Sequence, residues 1–205
     1  MTGYVALLRG INVGGHKKIP MERLRDLFTE LGYTNARTYI QSGNIVFAAP
    51  SEPSSIHAAI ESGIADRFGF PVPVVLRSRR QLDTIVEACP FAKRDLDPAK
   101  LTVTFLAEPI PERVRSELVV PDGLVEEAVA TAAELYIHYP DGQGRSKLDR
   151  SGFWNPLKGS ITTTRNWRTV VKLRDMLAAA VPLRPHFGQE RKRSPNQRPR
   201  RRLVV

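Results

Sequence analysis

The sequence predicts an α+β protein in which two small open sheets, each layered against helices, follow one another along the chain. Short apolar runs typical of strands alternate with amphipathic helical segments in both halves. Turn signals such as Asp141-Gly142 indicate antiparallel neighbours. The 205 residues suffice for one medium domain or two small ones, and a boundary is expected near residues 90–100.

The first half begins with "YVALLRGINV", which predicts a buried strand ended by glycine. A helix is expected in "PMERLRDLFTELG", because Pro20 suits a first helical turn and the leucines form one apolar stripe. The next segment, "ARTYIQSGNIVFAA", predicts two strand halves around a kink or bulge at Ser42-Gly43. A second helix is expected from about Ser55 to Phe68, followed by the strand "VPVVLRS" and a helix that starts near Ser78. This last helix places Cys89 in the core.

The second half repeats this style. The alternation in "KLTVTFLAE" predicts a half-buried strand, and "PERVRSEL" predicts a short helix. Two strands are expected in "EEAVATAAELYIHYPDG". The segment from Asp149 to Gly159 has no clear pattern. The last helix is expected over "TTTRNWRTVVKLRDMLAAAV". Its predicted inward residues are Val170, Leu173, Leu177 and Val181.

The positive charge is unevenly distributed. The formal net charge is +10, and residues 182–205 carry +7 of it, with four prolines and little to bury. This composition predicts a disordered basic tail on a body of ordinary charge. A single cysteine excludes a disulfide framework, and no apolar run reaches the roughly 18 residues of a membrane span. A soluble cytoplasmic protein without membrane contact is therefore expected, and its oligomeric state stays open.

The stretch "RGINVGG" poses the first functional question, because glycines and cations in a strand-to-helix turn suggest a phosphate cradle. Neither nucleotide motif is complete. Gly10 and Gly15 have the P-loop gap, but His16 precedes Lys17 and Lys18 replaces the hydroxyl residue. The favoured interpretation is a backbone turn that needs glycine, and the alternative is a loop that offers N–H groups to an anion.

Four segments together resemble an uncharacterised bacterial family, the domain-of-unknown-function family 1697. They are "VALLRGINVGGHKKIPMERLRDLFTELGY", "ARTYIQSGNIVF", "GRSKL" and "TTRNWRTVVKL", and the likeness covers about residues 3–180. The resemblance implies two consecutive ferredoxin-like α-β plait domains, which we place at residues 1–92 and 93–181. It implies no activity. The chain departs from the family pattern where "DRSGFWNPLKG" replaces a regular helix, and the tail is an extension.

Familiar catalytic signatures are absent from the sequence. The four histidines show no metal-ligand spacing, and no serine lies in a nucleophile elbow. The paired carboxylates Glu126 and Glu127 would point to opposite faces of a strand. A hydrolase with a triad or metal centre is not expected, and no cofactor is predicted.

Polar groups in loops remain as a candidate ligand site. Thr164, Arg165 and Asn166 lie at the predicted start of the last helix. A helix N-terminus favours an anion by about 0.3–1 kcal/mol, so these residues are candidates for binding one. We expect these groups to face strand ends of the first domain across a cleft. The complete candidate set is Arg9, Asn12, Gln41, Ser42, Asn44, Arg145, Ser146, Lys147, Thr164, Arg165 and Asn166. The alternative is structural: Thr164 as a cap, the asparagines in turns, and Arg145 or Arg165 paired with a buried carboxylate that fixes the domains together.

Three functions follow as hypotheses. The first is binding of a small anion, a phosphate or carboxylate, between the plaits. The second is salt-sensitive, sequence-independent nucleic-acid binding through the tail, because the strands lack the stacking aromatics of RNA-binding plaits. The third is an enzyme of unrecognised class that acts on an anionic substrate. Only the clustered polar loops support this hypothesis.

Overall fold

A computed structural model describes residues 1–50 and 52–180, which form two four-stranded antiparallel sheets with interleaved helices. This confirms the α+β class. The basic segment 182–205 lies outside the described residues. The elements of the first half are β1 (Thr2–Leu8), α1 (Met21–Glu30), β2 (Thr34–Tyr39), β3 (Asn44–Ala49), α2 (Pro53–Phe68), β4 (Val74–Ser78) and α3 (Arg79–Glu87). Those of the second half are β5 (Leu101–Leu106), α4 (Glu112–Ser116), β6 (Glu127–Ala130), β7 (Glu134–His138), β8 (Thr162–Asn166) and α5 (Trp167–Ala180).

The helices of the first half follow the sequence pattern. Ile56, Ile60 and Ile64 of α2 are fully buried, as their four-residue spacing predicts. The helix α3 begins with a capping box, in which the Ser78 hydroxyl accepts from the Gln81 N–H and the Gln81 side chain accepts from the Ser78 N–H. Cys89 is buried, and this burial raises the pKa of its thiol.

The expected kink at Ser42-Gly43 is instead a hairpin. β2 and β3 are separate antiparallel strands whose register pairs Tyr39 with Asn44. The turn between them uses positive φ angles at Ile40 (49°) and Gly43 (80°). The Asn44 side chain donates to the Tyr39 carbonyl at 3.0 Å and thereby closes the turn. The glycine was therefore correctly identified as a break, but the chain reverses there.

β5 is buried along its whole length, whereas the alternation predicted a half-buried strand. The reason is that its sheet is covered on both faces by separate hydrophobic clusters. The threonines find partners within the sheet: the Thr104 hydroxyl lies 2.7 Å from that of Thr164. Alternating threonine is thus compatible with a central strand when each hydroxyl is hydrogen bonded.

The last helix starts later than predicted. Residues 162–166 form the strand β8, which pairs with β5, and α5 begins only at Trp167. The Asn166 side chain accepts the Arg168 N–H at 3.0 Å, so Asn166 caps the helix and Thr164 does not. β-Branched threonines favour the strand. Val170, Leu173 and Leu177 are buried as predicted, and Val181 lies outside the described residues.

The unclear segment 149–159 contains two 3₁₀ turns, Leu148–Arg150 and Asn155–Leu157. Leu148, Phe153 and Leu157 are buried in the core beneath the second sheet. Short 3₁₀ turns thus occupy the place that α2 has in the first half.

The two halves share a hydrophobic core. One cluster places Val5, Val46 and Val75 of the first sheet with Val103 and Phe105 of the second, together with α3 and α5. The helix α5 contacts β1 and β3 as well as β5. The halves therefore pack into one body, and their division at residues 92 and 93 remains a prediction.

The two halves also share strand order. The first sheet runs β2-β3-β1-β4 and the second β6-β7-β5-β8. Val5 is opposite Arg77 in the first sheet, and Val103 is opposite Arg165 in the second. Arg77 and Arg165 therefore occupy equivalent positions in the two halves.

Candidate functional site

Arg165 lies at the junction of the halves and is enclosed by protein. Its guanidinium donates to the carbonyls of Leu8 (2.8 Å), Ser42 (3.1 Å) and Gly43 (3.3 Å), and its Nε donates to Asn44 Oδ1. Within its own strand, Nη1 donates to the Thr163 hydroxyl and the Thr164 carbonyl. All five N–H groups therefore have acceptors.

Arg77 of the first half makes the equivalent contacts with the second half. It donates to the Leu106 carbonyl at 2.7 Å and the Ala133 carbonyl at 3.2 Å, and its Nε donates to Glu134 Oε1 at 3.0 Å. Its Nη1 donates to the carbonyl of the preceding Leu76. Each half thus sends one buried arginine into the other.

The two arginines differ in one partner. Glu134 gives Arg77 a carboxylate, whereas Asn44 gives Arg165 a neutral amide. Burial lowers the pKa of Arg165 to about 10, because no carboxylate compensates the cost of removing the charge from water. The structural alternative, in which Arg165 joins the domains, therefore describes its contacts, although with amide and backbone oxygens in place of the expected buried acid.

The glycine loop is held by its own asparagine. Asn12 accepts the Ile19 N–H at 2.8 Å and donates to the carbonyls of Ile19 and Gln41. The φ angles of Gly10, Gly14 and Gly15 are all positive. These contacts agree with a turn that needs glycine. A pocket of about 520 Å³ adjoins the loop, lined by Lys18 and Gln41 but also by the acid Glu22.

The other candidate residues divide into two groups. Several are used by the fold: Ser146 binds Glu126 and the Leu148 N–H, Thr164 binds Thr104, and Asn166 binds two carbonyls as well as capping α5. Arg9, Gln41, Arg145 and Lys147 are exposed. The structure brings Arg165 to Ser42 and Asn44, as expected, but through contacts that fill its hydrogen-bonding capacity.

An open cleft lies between the halves on the Arg77 side. Its volume is about 810 Å³. It is formed by β4 and the starts of α2 and α3 from the first half, and by residues 107–111 and 159–161 from the second. Because Leu106 corresponds to Leu8, the loop 107–111 corresponds to residues 9–13. The observed cleft therefore lies beside Arg77, at the position in one half that corresponds to the Arg165 side, where a cleft is predicted from the sequence.

The first-half wall of this cleft carries polar groups. Gln81 uses its Oε1 to accept from Ser78, which leaves its amide N–H groups for a ligand. Ser54 and His57 stand at the start of α2, whose N-cap residue makes no side-chain hydrogen bond. The opposite wall is more apolar, with Pro109, Ile110 and Ile161, but it also carries the acid Glu108.

A groove of about 540 Å³ adjoins the cleft and shares Arg77, Gln81, Ala107 and Pro109 with it. Arg80 and Thr84 of α3 line this groove, and Glu134 lies opposite. Arg80 is exposed and makes no side-chain hydrogen bond or ion pair within the described part of the chain. A cation is therefore available beside the cleft.

Sequence reasoning did not select Gln81, His57 or Arg80. Ser78 and Gln81 have the spacing of a capping box, which was a detectable signal for a helix start. Nothing in the sequence indicated that this start faces the second half.

Two further observations concern the described residues. They contain no group of three or more histidine, cysteine, aspartate or glutamate side chains that could hold a metal ion. None of their helices combines the length and apolarity that a bilayer crossing requires.

Comparison with known proteins supports the resemblance seen in the sequence. A model of proteins of unknown function, DUF1697, matches residues 1–136. The chain belongs to the DUF1697 family. The DUF1697 match ends within β7, so the "TTRNW" block lies beyond it. No curated protein matches. This DUF1697 chain is structurally similar to the conserved bacterial protein SP0830 from Streptococcus pneumoniae, with a TM-score of 0.67 and 26% identity over 86% of this chain and 98% of that one.

Proposed function

We propose that this protein binds a small organic anion in the cleft between its two halves. The observation that carries the proposal is the cleft itself, which both halves line and which has hydrogen-bond donors on one wall. Its volume of about 810 Å³ falls within the range of small-molecule sites. A largely apolar lining with a few placed polar groups is also typical of such sites.

The charges on the α3 wall of the cleft favour an anion, and the acid Glu108 on the second-half wall directs the anionic group of a ligand toward α3. Glu134 is neutralised by Arg77, so the exposed guanidinium of Arg80 is the uncompensated charge on the α3 wall. Gln81 adds amide donors between them. The starts of α2 and α3 add a partial positive potential worth about 0.3–1 kcal/mol each. A bidentate arginine contact contributes more than either helix.

Arg80 and Arg145 provide a matched test of this location. Both are exposed arginines, but Arg80 lines the groove beside the cleft and Arg145 belongs to the candidate loop that lies outside it. A thermal-shift screen with orthophosphate, pyrophosphate, mononucleotides and di- and tricarboxylates selects a probe, and isothermal titration calorimetry then measures its Kd.

We expect Arg80→Ala to weaken the selected probe by about 10- to 100-fold, the value of a hydrogen bond to a charged group. Arg145→Ala should leave its Kd unchanged. The opposite result would place the ligand at the candidate loop with Arg145 and Lys147. No stabilisation by any of these anions would reject anion binding.

Nucleic-acid binding is a second proposal, and it rests on the +7 charge of residues 182–205. We expect binding of a random-sequence duplex to fall steeply with salt, because it would come from released counterions. Electrophoretic mobility shifts with the full chain and with residues 1–181 test this. Equal binding by the two proteins would reject the tail as the contact.

For the fold, we infer that each half is a ferredoxin-like α-β plait. The order β2-β3-β1-β4 with α1 and α2 as crossovers agrees with this inference for the first half. In the second half, α4 is short and 3₁₀ turns replace the second crossover helix. An experimental structure in which the helices of either half lie on opposite faces of its sheet would contradict it.

A further inference from the structure

The imidazole of His57 is oriented by two acceptors. Its Nε2 lies 2.9 Å from the Val74 carbonyl oxygen and 3.3 Å from Glu61 Oε1. The same Glu61 oxygen accepts the Val74 N–H at 2.8 Å, which fixes the carboxylate in place. A carbonyl oxygen cannot donate a proton. In the neutral ring, Nε2 therefore carries the hydrogen.

The other ring nitrogen is left as an acceptor. Nδ1 of His57 has no hydrogen-bond partner among the described residues, and the side chain is 39% exposed where it lines the cleft. The neighbouring Gln81 has the opposite polarity, because its oxygen is occupied and its N–H groups remain. The cleft thus offers an acceptor at His57 and donors at Gln81, and Arg80 adds donors in the adjoining groove.

We propose that His57 determines the specificity of the cleft by selecting anions that also carry a hydroxyl or amino group. This inference rests on the proposed function. The anionic group is bound by Arg80 and Gln81, and the ligand's O–H or N–H donates to His57 Nδ1. A site that presents an acceptor disfavours an analogue without the donor, because the acceptor then has no partner in the complex. Phosphorylated polyols and hydroxy acids have the required chemistry.

The protonation state of His57 decides which group it recognises. A charged ring would donate at both nitrogens and would favour an acceptor instead. The ionisable group in contact with the ring is Glu61 on α2, and Arg77 on β4 and Glu108 from the second half line the same cleft. Both measurements below use pH 8, and the tautomer measurement reports the protonation state of the ring directly.

The first measurement needs no ligand. Long-range ¹H–¹⁵N correlation spectra of the wild-type protein distinguish the two neutral tautomers, and His57→Asn identifies the His57 signals. We expect the tautomer protonated at Nε2. Protonation at Nδ1 would overturn the inference, because the nitrogen toward the cleft could not accept.

The second measurement uses glycerol 3-phosphate and 1-propyl phosphate, which share a phosphate and differ in hydroxyl groups. By calorimetry, we expect the wild type to prefer glycerol 3-phosphate by about tenfold, the value of one net hydrogen bond. His57→Phe should abolish this ratio. Arg80→Ala should weaken both probes and preserve the ratio.

The outcomes separate the two proposals. If neither phosphate binds, or if Arg80→Ala has no effect on either, the proposed function fails. If both bind in an Arg80-dependent way with equal affinity, or if His57→Phe retains the preference, the cleft binds anions but His57 does not select them. His57→Asn serves as a second variant, judged by the same ratio, if the phenylalanine variant does not fold.

Discussion

Replacing Arg165 with methionine tests whether the buried cation holds the two halves together. The substitution preserves an unbranched apolar stem and removes the donors to three buried acceptors, the Leu8 carbonyl, Asn44 Oδ1 and the Thr163 hydroxyl. At about 2 kcal/mol for each buried acceptor left without a partner, three losses cost about 6 kcal/mol. Removing the charge returns about 3 kcal/mol, since burial lowers the pKa of Arg165 to about 10. The expected net loss is about 3 kcal/mol.

Urea unfolding followed by tryptophan fluorescence measures this loss, because Trp167 packs against the shared core. The slope of the transition should stay unchanged while its midpoint falls. Arg145→Met, on an exposed side chain, is the control and should change the free energy of unfolding by less than about 0.5 kcal/mol. An Arg165→Met protein as stable as the wild type would refute the reasoning.

Arg77, the equivalent arginine of the first half, allows a comparison because its partner Glu134 is a carboxylate. Arg77→Met leaves the carboxylate of Glu134 without its cation, so we expect a loss of about 3–5 kcal/mol. Adding Glu134→Leu removes the stranded charge and should recover part of that loss. A double variant less stable than Arg77→Met would show that Glu134 stabilises the junction without Arg77.

Three further predictions, the first with a matched control at a second glycine, are each measured by urea unfolding. Gly43→Ala should destabilise by about 3 kcal/mol, since φ is +80° and a Cβ would lie 2.7 Å from a neighbouring side-chain carbon. Gly142→Ala, with φ +86° but open space, should cost about 1–2 kcal/mol, and equal losses would contradict the steric argument. Asn12→Ala should cost about 1–3 kcal/mol through its three side-chain hydrogen bonds, and a loss below about 0.5 kcal/mol would contradict this. Arg94→Ala should cause a small loss at pH 7 that disappears in acid. Arg94 lowers the pKa of Glu127, so the stability that this carboxylate contributes is lost as the pH falls through that pKa; a loss that persists in acid would contradict this.

Hydrophobic periodicity was sufficient to predict the elements that bury only one face. The spacing of Ile56, Ile60 and Ile64 located α2 because its other face meets water. It was insufficient for β8, where threonines precede an arginine and an asparagine with no apolar residue between them. This strand exists because it pairs with β5, and such pairing between distant segments leaves no local pattern.

The candidate site could be predicted only in part, for a related reason. An arginine in a sequence is usually a solvated side chain. Arg165 is buried because it packs against acceptors of the first half that lie more than 120 residues away in the sequence. The structure places Arg165 against Ser42 and Asn44. Ligand binding by these residues stays a prediction. The cleft on the Arg77 side could not be predicted from the sequence, because His57 and Gln81 line it only after the two halves have packed together.

The position of α5 on β1 and β3 has a consequence for synthesis of the protein. The first sheet emerges from the ribosome early, but the helix that covers part of its inner face comes from residues 167–180. Until that helix is translated, Val5, Leu7 and Val46 lack their final cover. Nascent chains should therefore remain protease-sensitive until nearly the whole body has been made, and folding should be limited by contacts distant in sequence.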